Sequence, residues 1–250
     1  MHHPFTFFER YLSFVTHDNL HIMSTLFIFG LLVAAAALII YPKWKKVSEN
    51  IIPEKTFNVR TFFELIIEMI ASFCDDVIGP QGRLYLPFAG TLFIFLFCLN
   101  LLGLIPGFLP PTEMWVTGTS LAMITFIAFN YYGFKAQGWA YLKHFMAPVQ
   151  VAGIKSPVAK IFIFLALFAF QLLFISVELI STSIRPVTLA MRLTVNMTAD
   201  HLVLGTFSTL VPYVIPIIFM LFGIFVSFVQ AFIFTILTMV YISMAVAHDH

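Results

Sequence analysis

The stretch "SPVAKIFIFLALFAFQLLFISVELISTSIRPVTLAMRLTVNMTADHLVLGTF", residues 156–207, decides the fold of this chain. A perpendicular helix crosses the ~30 Å hydrocarbon core of a bilayer with about 20 residues. The pattern here continues for more than twice that length, and its only turn signal is Pro186. Such a run predicts one long helix lying steeply tilted in the membrane. A second long helix, predicted over 212–248, returns across it. From Ile161 to Ala247 the chain has 87 residues, of which only Glu178, Arg185, Arg192, Asp200 and His201 are charged or histidine.

The composition sets the same class for the whole chain. Hydrophobic residues make up 60% of it, charged residues 10%, and the mean hydropathy is +0.97. A water-soluble globule cannot hide so much apolar surface. In lipid only helices and closed barrels satisfy the backbone, and the long, unalternating apolar runs select helices. The formal charge of +1 argues against a nucleic-acid partner. Cys74 and Cys98, the two cysteines, stand in apolar or amphipathic settings that suit buried thiols rather than a disulfide or metal site. The first 23 residues include Glu9, Arg10 and Asp18 and lack a cleavable apolar core, so the first apolar run is read as a retained anchor.

Outward from the two long helices, a span is predicted over 24–41. The lysines Lys43, Lys45 and Lys46 that follow it place its exit on the cytoplasmic or matrix side and the amino terminus outside. Residues 61–79 carry Phe62, Leu65, Ile66, Met69 and Phe73 at helical spacing, interrupted on the other face by Glu64, Glu68, Asp75 and Asp76. That pattern predicts an interfacial amphipathic helix. Residues 84–134 hold two spans joined by the proline-rich "PGFLPPTEM", a helical hairpin. Lys135, Lys143, Lys155 and Lys160 then return positive charge to the side of the first cluster. The expectation is an all-α integral membrane protein of one domain spanning 1–250. It has five membrane-crossing helices plus one interfacial helix, and the last two are long and strongly tilted.

With Arg192 at zero and ~100° per residue, Ser181, Glu178, Arg185, Thr188, Asn196 and Asp200 fall within about −40° to +80°, one polar stripe. His201 projects to the opposite side and faces a different neighbour. On the second long helix Ser227, Gln230 and Tyr241 form a thinner stripe. An arginine in mid-bilayer costs from about 3 to more than 10 kcal/mol and turns toward protein or water. Its pKa above ~12 makes it a fixed charge, not a proton carrier. Glu178 lies ~21 Å before it along the helix and Asp200 ~12 Å after it. The missing counter-charge is therefore expected from another chain. The competing explanation is a structural arginine bridging helices or reaching a headgroup, but the accompanying stripe favours ion conduction, with Glu178, Asp200 and His201 as relay candidates.

The segments "RPVTLAMRLTVNMTADH" (185–201), "NLLGLIPGFLPPT" (100–112) and "QAFIFTILTMVYISMA" (230–245), in this order, resemble subunit a of the F-type ATP synthase. The resemblance implies the stator half of a rotary proton channel in an energy-transducing membrane, bacterial or mitochondrial. Its partners are then a ring of c subunits bearing carboxylates, b-type peripheral stalk subunits, the rest of the synthase and the lipid bilayer. It implies no cofactor and no metal, and no catalytic site of its own. Arg192 would face the ring between two offset aqueous half-channels. Asn196 matches an asparagine beside the arginine, Gln230 a glutamine of the last helix and Asn100 a hairpin asparagine. Glu178 matches the acid of the inner half-channel, His201 the titratable residue of the outer one, and Tyr241 a tyrosine near the inner exit. Ser181, Arg185 and Thr188 complete a rotor-facing stripe.

The chain departs from that pattern at two positions. Many relatives have glycine where Asp200 stands, and glutamate or histidine where this chain has Gly223. The outer acid is accordingly expected to have moved onto the first long helix, beside His201; the alternative is a helix-end aspartate at the wet surface. A self-contained ion channel or secondary transporter is the rival function, although the inverted repeats and interrupted helices of transporters do not stand out. A membrane enzyme is weaker still, since no nucleophile–base pair or cofactor motif does. The sequon "NMT" at Asn196 and the histidines 2, 3, 248 and 250 read as chance matches and solvated tails. His17 and His21, one turn apart, either aid proton entry or form an interfacial pair with no role.

Overall fold

The computed structural model describes residues 19–44, 59–105, 108, 110–139, 141, 157–210 and 215–246. Six α-helices carry the described fold: α1 (Leu20–Trp44), α2 (Val59–Ile78), α3 (Leu86–Leu102), α4 (Trp115–Gln137), α5 (Pro157–Leu210) and α6 (Ile215–Val246). Short 3-10 turns at Gly82–Leu84 and Pro111–Glu113 precede α3 and α4. Ala169–Phe207 and Ile217–Val246 are each long and apolar enough to cross a membrane, and His21–Ala35 and Leu86–Leu102 are shorter apolar segments. The lysines 45, 46, 143 and 155 and the histidines 2, 3, 17, 248 and 250 lie outside the described residues.

The order of the elements follows the sequence signals, with shifts that have local causes. The first hairpin helix begins at Leu86, because Pro87 in its first turn tolerates the absence of a backbone donor there. Its partner runs to Gln137 and stops at Gly138, which has a positive φ of 57°. Helix α5 continues through Pro186. Just past the proline, the Thr188 hydroxyl donates to the Arg185 carbonyl at 2.9 Å.

The packed centre is built from Phe93, Leu96 and Leu99 of α3, Leu189 and Leu193 of α5, and Ala231 and Phe234 of α6. Helix α2 joins it through Ile66, Ile70 and Cys74. Leu65, expected on that inner face, is 53% exposed. Neighbouring positions on a helix lie ~100° apart, and the crossing with α6 selects Ile66. That crossing is fixed by Phe73 edge-on to Phe232 at 5.0 Å, by the Cys74 thiol 3.1 Å from the Met239 sulfur, and by the Ser243 hydroxyl donating to the Val77 carbonyl at 2.9 Å. On α6 the buried hydroxyls of Thr235 and Thr238 donate to the carbonyls of Ala231 and Phe234, each at 2.9 Å, so they enter the core already satisfied.

Helices α5 and α6 run antiparallel in a constant register. Arg185 lies over the Tyr241 ring at 5.3 Å, the Asn196 amide donates to Gln230 at 2.8 Å, and Phe207 stacks on Phe219 at 4.7 Å. Each advance of eleven residues on α5 is matched by a retreat of eleven on α6. Eleven residues turn a helix through three revolutions plus about 20°, so the three contacts share one seam about 33 Å long.

Helices in lipid gain little from apolar burial against each other and depend on close packing of small residues. Gly118 of α4 provides that closeness: a methyl group there would meet the Thr194 hydroxyl at 2.6 Å and the Ala190 carbonyl at 3.2 Å. Gly118→Val is therefore expected to destabilise the α4–α5 contact by about 1–3 kcal/mol, read as a lower unfolding midpoint of the detergent-solubilised protein. Burial, with a smaller contribution from Asp75, pushes the Cys74 thiol up to about 11. At pH 8 roughly one molecule in a thousand carries the thiolate that reacts, so Cys74 is expected to resist maleimide labelling in the folded chain and to label fully once unfolded.

Candidate functional site

The polar residues of α5 sort themselves by what covers them. On the helical wheel with Arg192 at zero, buried Leu189, Leu193, Thr182, Pro186, Met197 and Ala190 occupy about +60° to +160°. Exposed Ser181, Thr188, Val195, Ile184, Met191 and Val187 occupy about −20° to −140°, and half-buried Glu178 and exposed Asn196 fall at about +40°, at the edge of the packed arc. Half-buried Arg192 stands on the border between the two arcs. One side of it is packed against the chain's own helices, and the other is an open face of aliphatic and hydroxyl side chains. Among the described residues none is hydrogen-bonded or ion-paired to Arg192.

One turn beyond Arg192, Asn196 crosses the seam to Gln230. Gln230 is buried, and its own amide nitrogen has no partner among the described residues. The Thr194 hydroxyl is likewise buried without one. The seam therefore holds one donor that remains to be satisfied, on Gln230, and the α4–α5 contact holds another, on Thr194 beside Gly118; a buried unsatisfied donor costs about 1–3 kcal/mol.

Toward the hairpin turn the seam opens into a cavity of about 130 Å³, lined by Asn100, Asp200, His201, Gly223 and Ser227 with apolar neighbours. That volume admits several waters, and the polar lining offers them partners. A side chain at 223 would strike the Leu104 side chain, so glycine leaves the α6 wall of the cavity bare while Asp200 supplies an acid from α5. The 3-10 turn Pro111–Glu113 closes this end. The Thr112 hydroxyl donates to the Asn100 side-chain oxygen at 3.0 Å, and the next residue, Glu113, holds the His201 Nδ1 at 2.8 Å. The amino-terminal half of α1 reaches the same end, where Phe27 stacks on Phe108 at 6.1 Å.

At the opposite end of the seam, Arg185 lies on Tyr241 and both are half-buried. Tyr141, after the end of α4, belongs to this neighbourhood. Burial raises its phenol, the positive charge of Arg185 pulls it back, and Glu178 raises it again. Its hydroxyl donates to the Asn130 side chain at 3.1 Å. Arg185, Tyr141 and Tyr241 thus neighbour one another here, with half-buried Glu178 two turns before Arg185 on α5 and within electrostatic reach of Tyr141.

The structure brings Asn100, Asp200 and His201 to one cavity, joins Asn196 to Gln230, and sets Arg185 on Tyr241 at the far end, with Glu178 two turns before Arg185. Ser181 and Thr188 stay on the open face, whereas Arg185 and Asn196 make their contacts across the seam. His201 turns to Glu113 and away from Arg192. The residues absent from the sequence reading are Glu113, Thr112, Asn130 and Tyr141. Glu113 had a usable signal: it is the sole carboxylate between Asp76 and Glu178, in the turn of an apolar hairpin. Among the described residues no group of three or more His, Cys, Asp or Glu side chains could hold a metal ion.

Comparison with known proteins bears on the same segments. The family described as ATP synthase A chain matches residues 22–243. The chain is 43% identical over 201 residues to ATP synthase subunit a of Bdellovibrio bacteriovorus, covering 80% of each protein. It is 37% identical over 193 residues to subunit a of Trichlorobacter lovleyi, covering 77% of this chain and 76% of that one. With ATP synthase subunit a 1 of Syntrophotalea carbinolica the match is 33% over 261 aligned positions and takes in the whole of both. An all-helical fold with two long apolar helices, a polar seam between them and a match that covers most of the chain together place it: the chain belongs to the ATP synthase A chain family, the membrane-sector subunit a of a complex devoted to proton transport and ATP synthesis.

Proposed function

We propose that this chain is the stator half of a rotary proton channel, with Arg192 facing the carboxylates of a turning c-ring and separating two aqueous half-channels. The observation that carries the reading is the place of Arg192, on the border between the packed arc of α5 and its open face. A permanent charge so placed is accessible to a partner that slides past that face. Coulomb attraction to a carboxylate ~4 Å away is about 1 kcal/mol in water and about 4 kcal/mol at an effective dielectric of 20. The upper value keeps the ring engaged and the passing carboxylate ionised; it is small enough for rotation to overcome.

The cavity lined by Asn100, Asp200, His201 and Ser227 is the outer half-channel in this reading, and Arg185, Tyr141 and Tyr241, with Glu178 two turns before Arg185, mark the inner one. A proton entering the cavity reaches a ring carboxylate on one side of Arg192 and neutralises it, so that the ring site can turn into lipid. After nearly a full turn the site meets the inner half-channel and releases the proton. Gln230 and Asn196 stand one turn from the arginine. Asp200 and bare Gly223 on facing walls support the relocation of the outer acid from α6 to α5.

The membrane disposition belongs to the same proposal. The chain crosses five times, with α2 interfacial, the amino terminus outside and the carboxy terminus on the cytoplasmic or matrix side. Helix α5 has 54 residues. Its ~80 Å length at 1.5 Å per residue far exceeds the ~30 Å apolar core, which requires a steep tilt along the ring. The peripheral stalk, of b-type subunits, holds the chain still while the ring moves.

Two measurements on the assembled complex in sealed vesicles test the reading. Arg192→Gln should abolish ATP formation driven by a proton gradient while the subunit still assembles; normal synthesis without leak overturns it. Asp200→Asn should slow proton flux roughly tenfold, a loss of ~1.4 kcal/mol of barrier lowering, with assembly intact. Unchanged flux there removes the relocated acid and leaves the rest standing.

A further inference from the structure

We propose that Glu113 is a positioning residue that fixes the proton-exchanging state of His201, the pair forming the entry station of the outer half-channel. The inference rests on the reading of the cavity as that half-channel. It adds a residue from the hairpin turn to a path otherwise built from α5 and α6.

The geometry is specific. Glu113 Oε2 lies 2.8 Å from His201 Nδ1, and both side chains are partly shielded, 23% and 30% exposed. An ionised carboxylate can only accept a hydrogen bond, so Nδ1 carries the proton and the lone pair of the neutral ring is on Nε2. His201 lines the cavity whereas Glu113 does not, so the carboxylate stands behind the ring. The Nε2 atom has no partner among the described residues. Proton exchange then runs through one atom. A cavity hydronium gives its proton to Nε2, where an N–H bond forms as an O–H bond breaks, and the imidazolium is balanced by the Glu113 carboxylate. The same N–H bond breaks when the proton passes by water to the next carboxylate. Glu113 stays behind the ring throughout, much as carboxylates hydrogen-bonded to metal-binding histidines hold them in a working tautomer elsewhere.

The turn that presents Glu113 is anchored independently. Thr112 beside it donates to Asn100, and Pro111 starts the turn. Around His201 the titratable groups among the described residues are few. They are Glu113 on the turn and Asp200 on its own helix; α1, which packs against the turn, carries His21 in its first turn. The walls from α3 and α6 contribute Asn100, Gly223 and Ser227, none of which titrates.

The test compares passive and ATP-driven proton flux against pH in vesicles carrying the whole synthase, for Glu113→Gln, Glu113→Asp, His201→Gln and the double Glu113→Gln/His201→Gln variant. Removing the carboxylate disfavours the imidazolium, so in Glu113→Gln the fall of flux with rising pH should begin at lower pH than in the wild type, with a several-fold loss at pH 8 that acidification restores. Glu113→Asp should recover the wild-type profile, and the double variant should be no slower than His201→Gln alone. Should Glu113→Gln not assemble, Glu113→Ala gives the same reading. A wild-type profile in Glu113→Gln or Glu113→Ala, or a uniform loss with no displacement along the pH axis, overturns the proposal. Failure of the half-channel reading has a different signature, since Asp200→Asn and His201→Gln would then both leave flux unchanged.

Discussion

The constraint on which the rest depends is the pairing of α5 with α6. Apolar burial does little to hold two helices together in lipid, so specificity has to come from shape and from polar contacts. The seam uses both: a cation on an aromatic face, an amide pair and a ring stack, spaced evenly along about 33 Å. Because the three contacts share one register, sliding either helix by a single residue breaks all of them together. That rigidity leaves Arg192 at a fixed azimuth, neither drawn into the seam nor turned wholly outward.

The hairpin of α3 and α4 is fitted to that seam from one side. Its helices pack against both long helices through Phe93, Leu96 and Gly118, and its turn reaches over the open end of the seam. Two adjacent residues of the turn serve two different helices, Thr112 bonding to α3 and Glu113 to α5. The cavity beneath is thus bounded by three segments distant in sequence, and its polar groups face one another only because the turn is held at both ends.

Much of this was open to a reading of the sequence. Helix α5 shows itself in an apolar run whose only turn signal is Pro186, and most of its polar residues fall on one stripe because helical periodicity is strict over that length. The division of the stripe is not legible: Arg185 and Asn196 meet α6 while Ser181 and Thr188 stay exposed, and an azimuth does not say which neighbour stands opposite. The same ambiguity put both Leu65 and Ile66 on the inner face of α2, where only Ile66 is buried. Glu113 escaped for another reason. Periodicity speaks for regular helices and is silent about a short turn, so a carboxylate there carried no pattern beyond its isolation in the sequence.

The even spacing of the seam also constrains how this helix pair could change length. Contacts recurring every eleven residues follow 3.67 residues per turn, slightly above the natural helical period, which biases the two helices toward a right-handed wrap instead of the left-handed coil of heptad proteins. An insertion of four or seven residues in one helix alone would throw Arg185, Asn196 or Phe207 off its partner. Matched insertions of eleven in both would add a whole storey to the pair and leave every existing contact in phase.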